Sequence, residues 1–103
     1  MIRHLVALRF PACTPAAAKA ALMQDLSGLS DRIDGILDFQ VRANLSPEDA
    51  MVRGFRDLFW FDFRDAAARD AYLSDPGHRA IGARLVAALD GGADGVLVCD
   101  FAP

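Results

Sequence analysis

Residues 2–10 carry a period of two. Ile2, His4, Val6, Leu8 and Phe10 share one parity, while Leu5 and Ala7 make the other parity partly apolar as well. A period of two predicts a strand, here one with apolar surface to bury on both sides. The period then lengthens. Thr14 and Pro15 read as an N-cap followed by a first-turn proline, and Ala18, Leu22, Leu26, Leu29 and Ile33 form a helical stripe that stops at Gly35. Alternation returns over residues 36–43, where Leu37, Phe39 and Val41 interleave with Asp38, Gln40 and Arg42. After a connection carrying Ser46-Pro47-Glu48-Asp49, residues 55–63 form the strongest strand signal. Phe55, Phe59, Phe61 and Phe63 lie on one face there, with Leu58 and Trp60 on the other.

Asp65 caps a helix over residues 66–73, which breaks near Pro76 and restarts at once. Asp75 suits the new N-cap, and Pro76 suits the first helical position, where its missing N–H is harmless. Ile81, Leu85 and Leu89 follow His78 at helical spacing, so the imidazole lies in the first turn on the stripe that faces the core. Asp90-Gly91-Gly92 ends this helix. Residues 96–101 make a last strand, apolar on both faces, with Cys99 read as a buried thiol between Leu97 and Phe101.

The order β-α-β-β-α-β predicts an α+β, ferredoxin-like fold: an antiparallel four-stranded sheet with helices on one face. That leaves Leu5, Ala7, Leu58 and Trp60 on a face without helices. An open apolar sheet face of this kind calls for a partner, and a homodimer joining two sheets into a dimeric α/β barrel answers it. Trp60 is the expected anchor, with Arg3, Arg9, Arg56 and Asp62 at the rim.

Composition narrows the function classes. The 103 residues suffice for one domain, taken as 1–103, and 53% hydrophobic with 24% charged residues is ordinary globular usage. A net charge of −3, with ten arginines and one lysine dispersed among acids, argues against nucleic acid or an anionic membrane as partner. Cys13 and Cys99 make neither a disulfide framework nor a metal knuckle, and two free thiols fit a cytoplasmic protein. No apolar run is long enough to span a membrane. Gly91-Gly92-Ala93-Asp94-Gly95 follows a helix instead of opening one, so no phosphate-binding loop is expected, and no cofactor or metal is implied.

Four residues carry candidate chemistry. The dipole at a helix N-terminus favours a neutral His78 able to accept a proton, whereas Asp75 favours the charged form. The alternative is a ring bonded to a backbone carbonyl that tightens the helix start. Tyr72 precedes the break, so its hydroxyl and the imidazole can meet at one cavity, or Tyr72 is an amphipathic core residue. His4 sits among apolar neighbours on the first strand. Asp57 shares a face with Phe55 and Phe59 and needs a partner, either His4 or Arg56 with solvent. Strand register decides between them, since four residues span about 13 Å. A pocket between sheet and split helix would be lined by His4, Asp57, Phe59 and Ile81.

The opening Ile-Arg-His-Leu-Val-Ala-Leu-Arg-Phe, the middle Ile-Leu-Asp-Phe-Gln from Ile36, Gly-Phe-Arg-Asp-Leu-Phe-Trp-Phe-Asp-Phe from Gly54 and Tyr72-Leu-Ser-Asp-Pro-Gly-His78 form a set. Together they resemble the stress-responsive α/β-barrel (Dabb) domain family over essentially the whole chain. The resemblance implies a dimeric ferredoxin-like protein. Its members include stress proteins of undefined activity and, more distantly similar, the plant polyketide cyclase olivetolic acid cyclase. By that likeness Tyr72 and His78 would be catalytic, His4 would line the cavity, and the ligand would be a small apolar carbonyl compound handled without cofactor. Two positions depart from the cyclase, which has histidines where this chain has Asp57 and Asp75. Two functions therefore stand side by side: a binding protein of undefined activity, and a cofactor-free cyclase or isomerase.

Overall fold

Strand β1, Ile2–Leu8, runs through the middle of a four-stranded antiparallel sheet of order β2-β3-β1-β4 in the computed structural model, which describes residues 1–103. Its neighbours are β3, Asp57–Phe63, and β4, Val96–Phe101, while β2, Ile36–Ala43, forms the far edge. The long helix α1 covers Ala16–Ser27 and runs on as a 3-10 turn over Gly28–Asp31. A short α2, Asp49–Val52, lies in the β2–β3 connection, and α3, Ala66–Ser74, is followed directly by α4, Pro76–Ala87. The fold is ferredoxin-like.

Register assigns every strand residue to a face. His4 pairs across to Phe61 and Asp100, Val6 to Phe59 and Val98, and Leu8 to Asp57 and Val96, all on the helix side. There Val6, Leu8, Phe59, Phe61 and Phe63 join Leu22, Leu26, Leu29, Ile33, Tyr72, Leu85 and Leu89 in one core cluster. The opposite face carries Leu5 between Trp60 and Cys99, and Ala7 between Leu58 and Leu97. No helix covers it. Arg3 grips the buried Asp62 there through two bonds of 2.8 and 3.0 Å, and Trp60 lies between the guanidiniums of Arg3 and Arg42 at 5.1 and 5.3 Å.

Local physics moved several expected boundaries. Pro15, not Thr14, is the N-cap of α1, and Ala18 faces solvent. A bulge between Ile36 and Asp38 makes Leu37 the extra residue of β2, leaving it 57% exposed instead of inward with Phe39. The third strand starts at Asp57. Cys99 is exposed, because it lies on the uncovered face of an edge strand. The inner face of β4 is not purely apolar, for it ends in Asp100.

Gly35 sets the turn into β2. It has φ +90°, its carbonyl accepts from Arg64 N at 2.8 Å, and a Cβ there would meet the Ala68 methyl at 2.5 Å. Gly35→Ala combines a left-handed backbone with a clash against α3, so we expect a loss of more than ~1 kcal/mol, read as a lowered thermal midpoint.

Candidate functional site: a cleft under the split helix

The break between α3 and α4 is built by Asp75. Its backbone is extended, its Oδ2 accepts from His78 N at 2.9 Å, and its Oδ1 accepts from Arg32 Nη2 at 2.9 Å. Asp75 thus caps α4 and ties the cap to the 3-10 turn after α1. The consequence is positional. Tyr72 at the end of α3 and His78 at the start of α4 face each other, with ring centroids 3.9 Å apart and planes inclined by 35°.

Beside this pair lies an open cleft of about 830 Å³ between the sheet and the split helix. Its walls are mostly apolar, including Val6, Phe59, Leu85 and Val98, and its polar groups are His4, Tyr72, His78, Arg79 and Asp100. Tyr72 is 1% exposed and packs on Phe61 at 4.9 Å, Phe63 at 5.1 Å and His4 at 5.7 Å. Burial pushes its phenol well above the usual range, so the hydroxyl keeps its proton and remains a donor. His78 is half-buried and its Nδ1 has no hydrogen-bond partner. Burial first, and the neighbouring His4 second, push its pKa below the ordinary value, against weaker opposing effects of the Leu73 backbone and Asp75. A neutral ring next to a protonated phenol is the result.

The sign of the His78 shift has a measurable effect on stability. The unfolded chain binds this proton more tightly than the folded one. Its contribution is therefore complete above the unfolded value of about 6.5 and declines as pH falls below that toward the lower folded value. We expect stability to rise with pH across that window, and His78→Gln to flatten the slope in urea titrations at a series of pH values.

The remaining sequence candidates separate. His4 and Phe59 line the cleft. Asp57 does not. It pairs opposite Leu8, four positions along β3 from Phe61, which faces His4, and it is held by Lys19 Nζ at 2.9 Å, so its partner is neither His4 nor Arg56. Ile81 packs against the core beside the cleft without lining it. Leu5, Ala7, Leu58 and Trp60 lie together on the opposite, uncovered face. The partner of His4 is Asp100, at 2.6 Å from Nδ1, and Asp100 is held in turn by Arg69 at 3.1 Å. Sequence reading missed both residues. The available signal was a carboxylate at inward parity on an otherwise apolar strand, unreadable as a contact without the register. No three His, Cys, Asp or Glu side chains converge as a metal site, and no helix is long and apolar enough to cross a membrane.

A four-stranded ferredoxin-like sheet with one helix-covered face and a polar-tipped apolar cleft defines a class of small α+β proteins, and comparison with known proteins places the chain within it. It belongs to the Dabb family, the Stress responsive A/B Barrel Domain, whose profile matches residues 2–103. A dimeric ferredoxin-like protein of unknown function from Jannaschia sp. CCS1 is 33% identical with a TM-score of 0.84, covering 99% of this chain and 98% of that one. A dabb family protein with a ferredoxin-like fold from Mesorhizobium loti MAFF303099 is 23% identical, TM-score 0.77, over 99% and 95% of the two chains. Hydroxynitrile lyase from Passiflora edulis shares the fold at 16% identity, TM-score 0.80, covering 97% of this chain and 90% of the lyase. A search of the curated proteins finds no match.

Proposed function

We propose that residues 1–103 act as one domain, paired as a homodimer through the uncovered sheet face, and that the cleft binds a small apolar carbonyl compound. The observation that carries the binding role is the Tyr72–His78 pair, ring centroids 3.9 Å apart, on the wall of an apolar cleft of about 830 Å³. Apolar walls supply affinity, and the few polar groups supply orientation. Self-association is supported by the uncovered apolar face and by the dimeric neighbour from Jannaschia. The two free thiols fit the reducing cytoplasm.

A second reading, a cofactor-free cyclase or isomerase, draws on the protonation states. Tyr72 can donate to a carbonyl oxygen while neutral His78 takes a proton from the adjacent carbon. The occurrence of a hydroxynitrile lyase on this fold is compatible with that chemistry. An NMR titration of His78 against a panel of small apolar ketones and carbonyl acids tests the binding role. We expect the free protein to titrate below the ordinary histidine value and binders to move the His78 resonances. No response to any compound would overturn the binding role, and binding without turnover would discard the enzymatic reading.

A further inference from the structure

A second polar assembly borders the cleft. His4 Nδ1 lies 2.6 Å from Asp100 Oδ1, and Arg69 Nη1 lies 3.1 Å from Asp100 Oδ2. A carboxylate only accepts, so in the neutral ring Nδ1 carries the proton and Nε2 is left as an acceptor. That Nε2 makes no hydrogen bond within the chain and, unlike His78 Nδ1, is not sealed from the surface. His4 lines the cleft, so the cleft is the space its free nitrogen meets. Arg69 occupies the other carboxylate oxygen and keeps Asp100 from turning away. Three elements contribute to this arrangement: β1 supplies His4, β4 supplies Asp100, and α3 supplies Arg69. The same α3 also carries Tyr72, whose ring lies 5.7 Å from that of His4.

We propose that Arg69 and Asp100 are positioning residues that fix His4 as a hydrogen-bond acceptor in the cleft, so that the ligand is an apolar compound bearing a hydroxyl donor, a phenol or an alcohol. The ligand class rests on the binding role proposed above. Tyr72 donates and His4 accepts, so the two together match a ligand that presents both an oxygen acceptor and an O–H. An ether of the same shape leaves His4 Nε2 without its donor, which is a recognised source of discrimination.

The test uses the full chain with 15N-labelled histidine at pH 8, where an ordinary histidine is neutral, and two probes of one shape, 4-propylphenol and 4-propylanisole. In the wild type we expect His4 to carry its proton on Nδ1, and the phenol to bind roughly three- to tenfold more tightly than the ether. Asp100→Leu should shift the proton toward Nε2 and abolish the preference. His4→Phe should abolish the preference independently, which keeps the test decisive if Asp100→Leu does not fold. A wild-type His4 protonated on Nε2, or a phenol preference that survives in Asp100→Leu, would overturn the positioning role. Equal affinity for phenol and ether in the wild type would overturn the ligand class alone. Failure of both probes to bind would remove the binding role itself and the ligand class with it.

Discussion

Phe61→Ala should lower the unfolding free energy by about 3–5 kcal/mol, against a total of roughly 5–15 kcal/mol for a domain of this size. Phe61 is 0% exposed and is the central ring of an aromatic layer. Its centroid lies 4.6 Å from Phe39, 4.9 Å from Tyr72, 5.9 Å from Phe63 and 6.1 Å from Phe59. It also stands in register with His4 on one side and Phe39 on the other, on the strand next to the middle of the sheet. Strand neighbours are held by backbone hydrogen bonds and cannot close on the void, so the loss includes a cavity contribution beyond transfer. Phe61→Leu fills most of the volume and should cost clearly less. Urea unfolding at fixed protein concentration measures both, the concentration being held because the proposed dimerisation would be linked to stability. An alanine variant within ~1 kcal/mol of wild type would show that the aromatic layer is not where the fold's stability resides.

Trp60→Asp should turn the proposed dimer into a folded monomer. Trp60 sits on the uncovered sheet face beside Leu5, with Ala7, Leu58 and Leu97 farther along it. The Arg3–Asp62 pair and Arg42 flank the ring, a charged margin around an apolar centre of the kind interfaces show. A carboxylate at the centre of two facing sheets is desolvated and meets its own symmetry mate. We expect the free energy of dissociation to fall by at least ~2 kcal/mol, about a thirtyfold rise in dissociation constant. Sedimentation velocity of wild type and variant at micromolar concentration reads the change, with far-UV circular dichroism confirming the fold. A monomeric wild type, or a variant that stays dimeric, would defeat the proposed assembly.

Where sequence reading and structure differ, the differences have physical causes. The helix break was legible because Asp75 and Pro76 encode it locally, through a cap and a missing N–H. The position of His78 in the first turn of α4 followed from that alone. Leu37 was misassigned because a bulge depends on the partner strand, and nothing in residues 36–43 announces an extra residue. Cys99 was misread because apolar alternation does not say whether a strand lies at the middle or the edge of a sheet. Asp57 was grouped with His4 by shared parity. Its true partner, Lys19, comes from a helix that packs near the opposite end of β3.

By itself the sequence determined the order of elements, which side chains point inward on β1 and β3, the split between α3 and α4, and family membership. These are local or periodic properties, set by propensity, capping and the spacing of apolar residues. Tertiary structure alone decided that Asp100 and Arg69 orient His4, that Asp57 lies away from the cleft, and that an open space remains beside Tyr72 and His78. Those facts depend on strand register and on contacts between residues up to 96 positions apart, which side-chain periodicity does not encode.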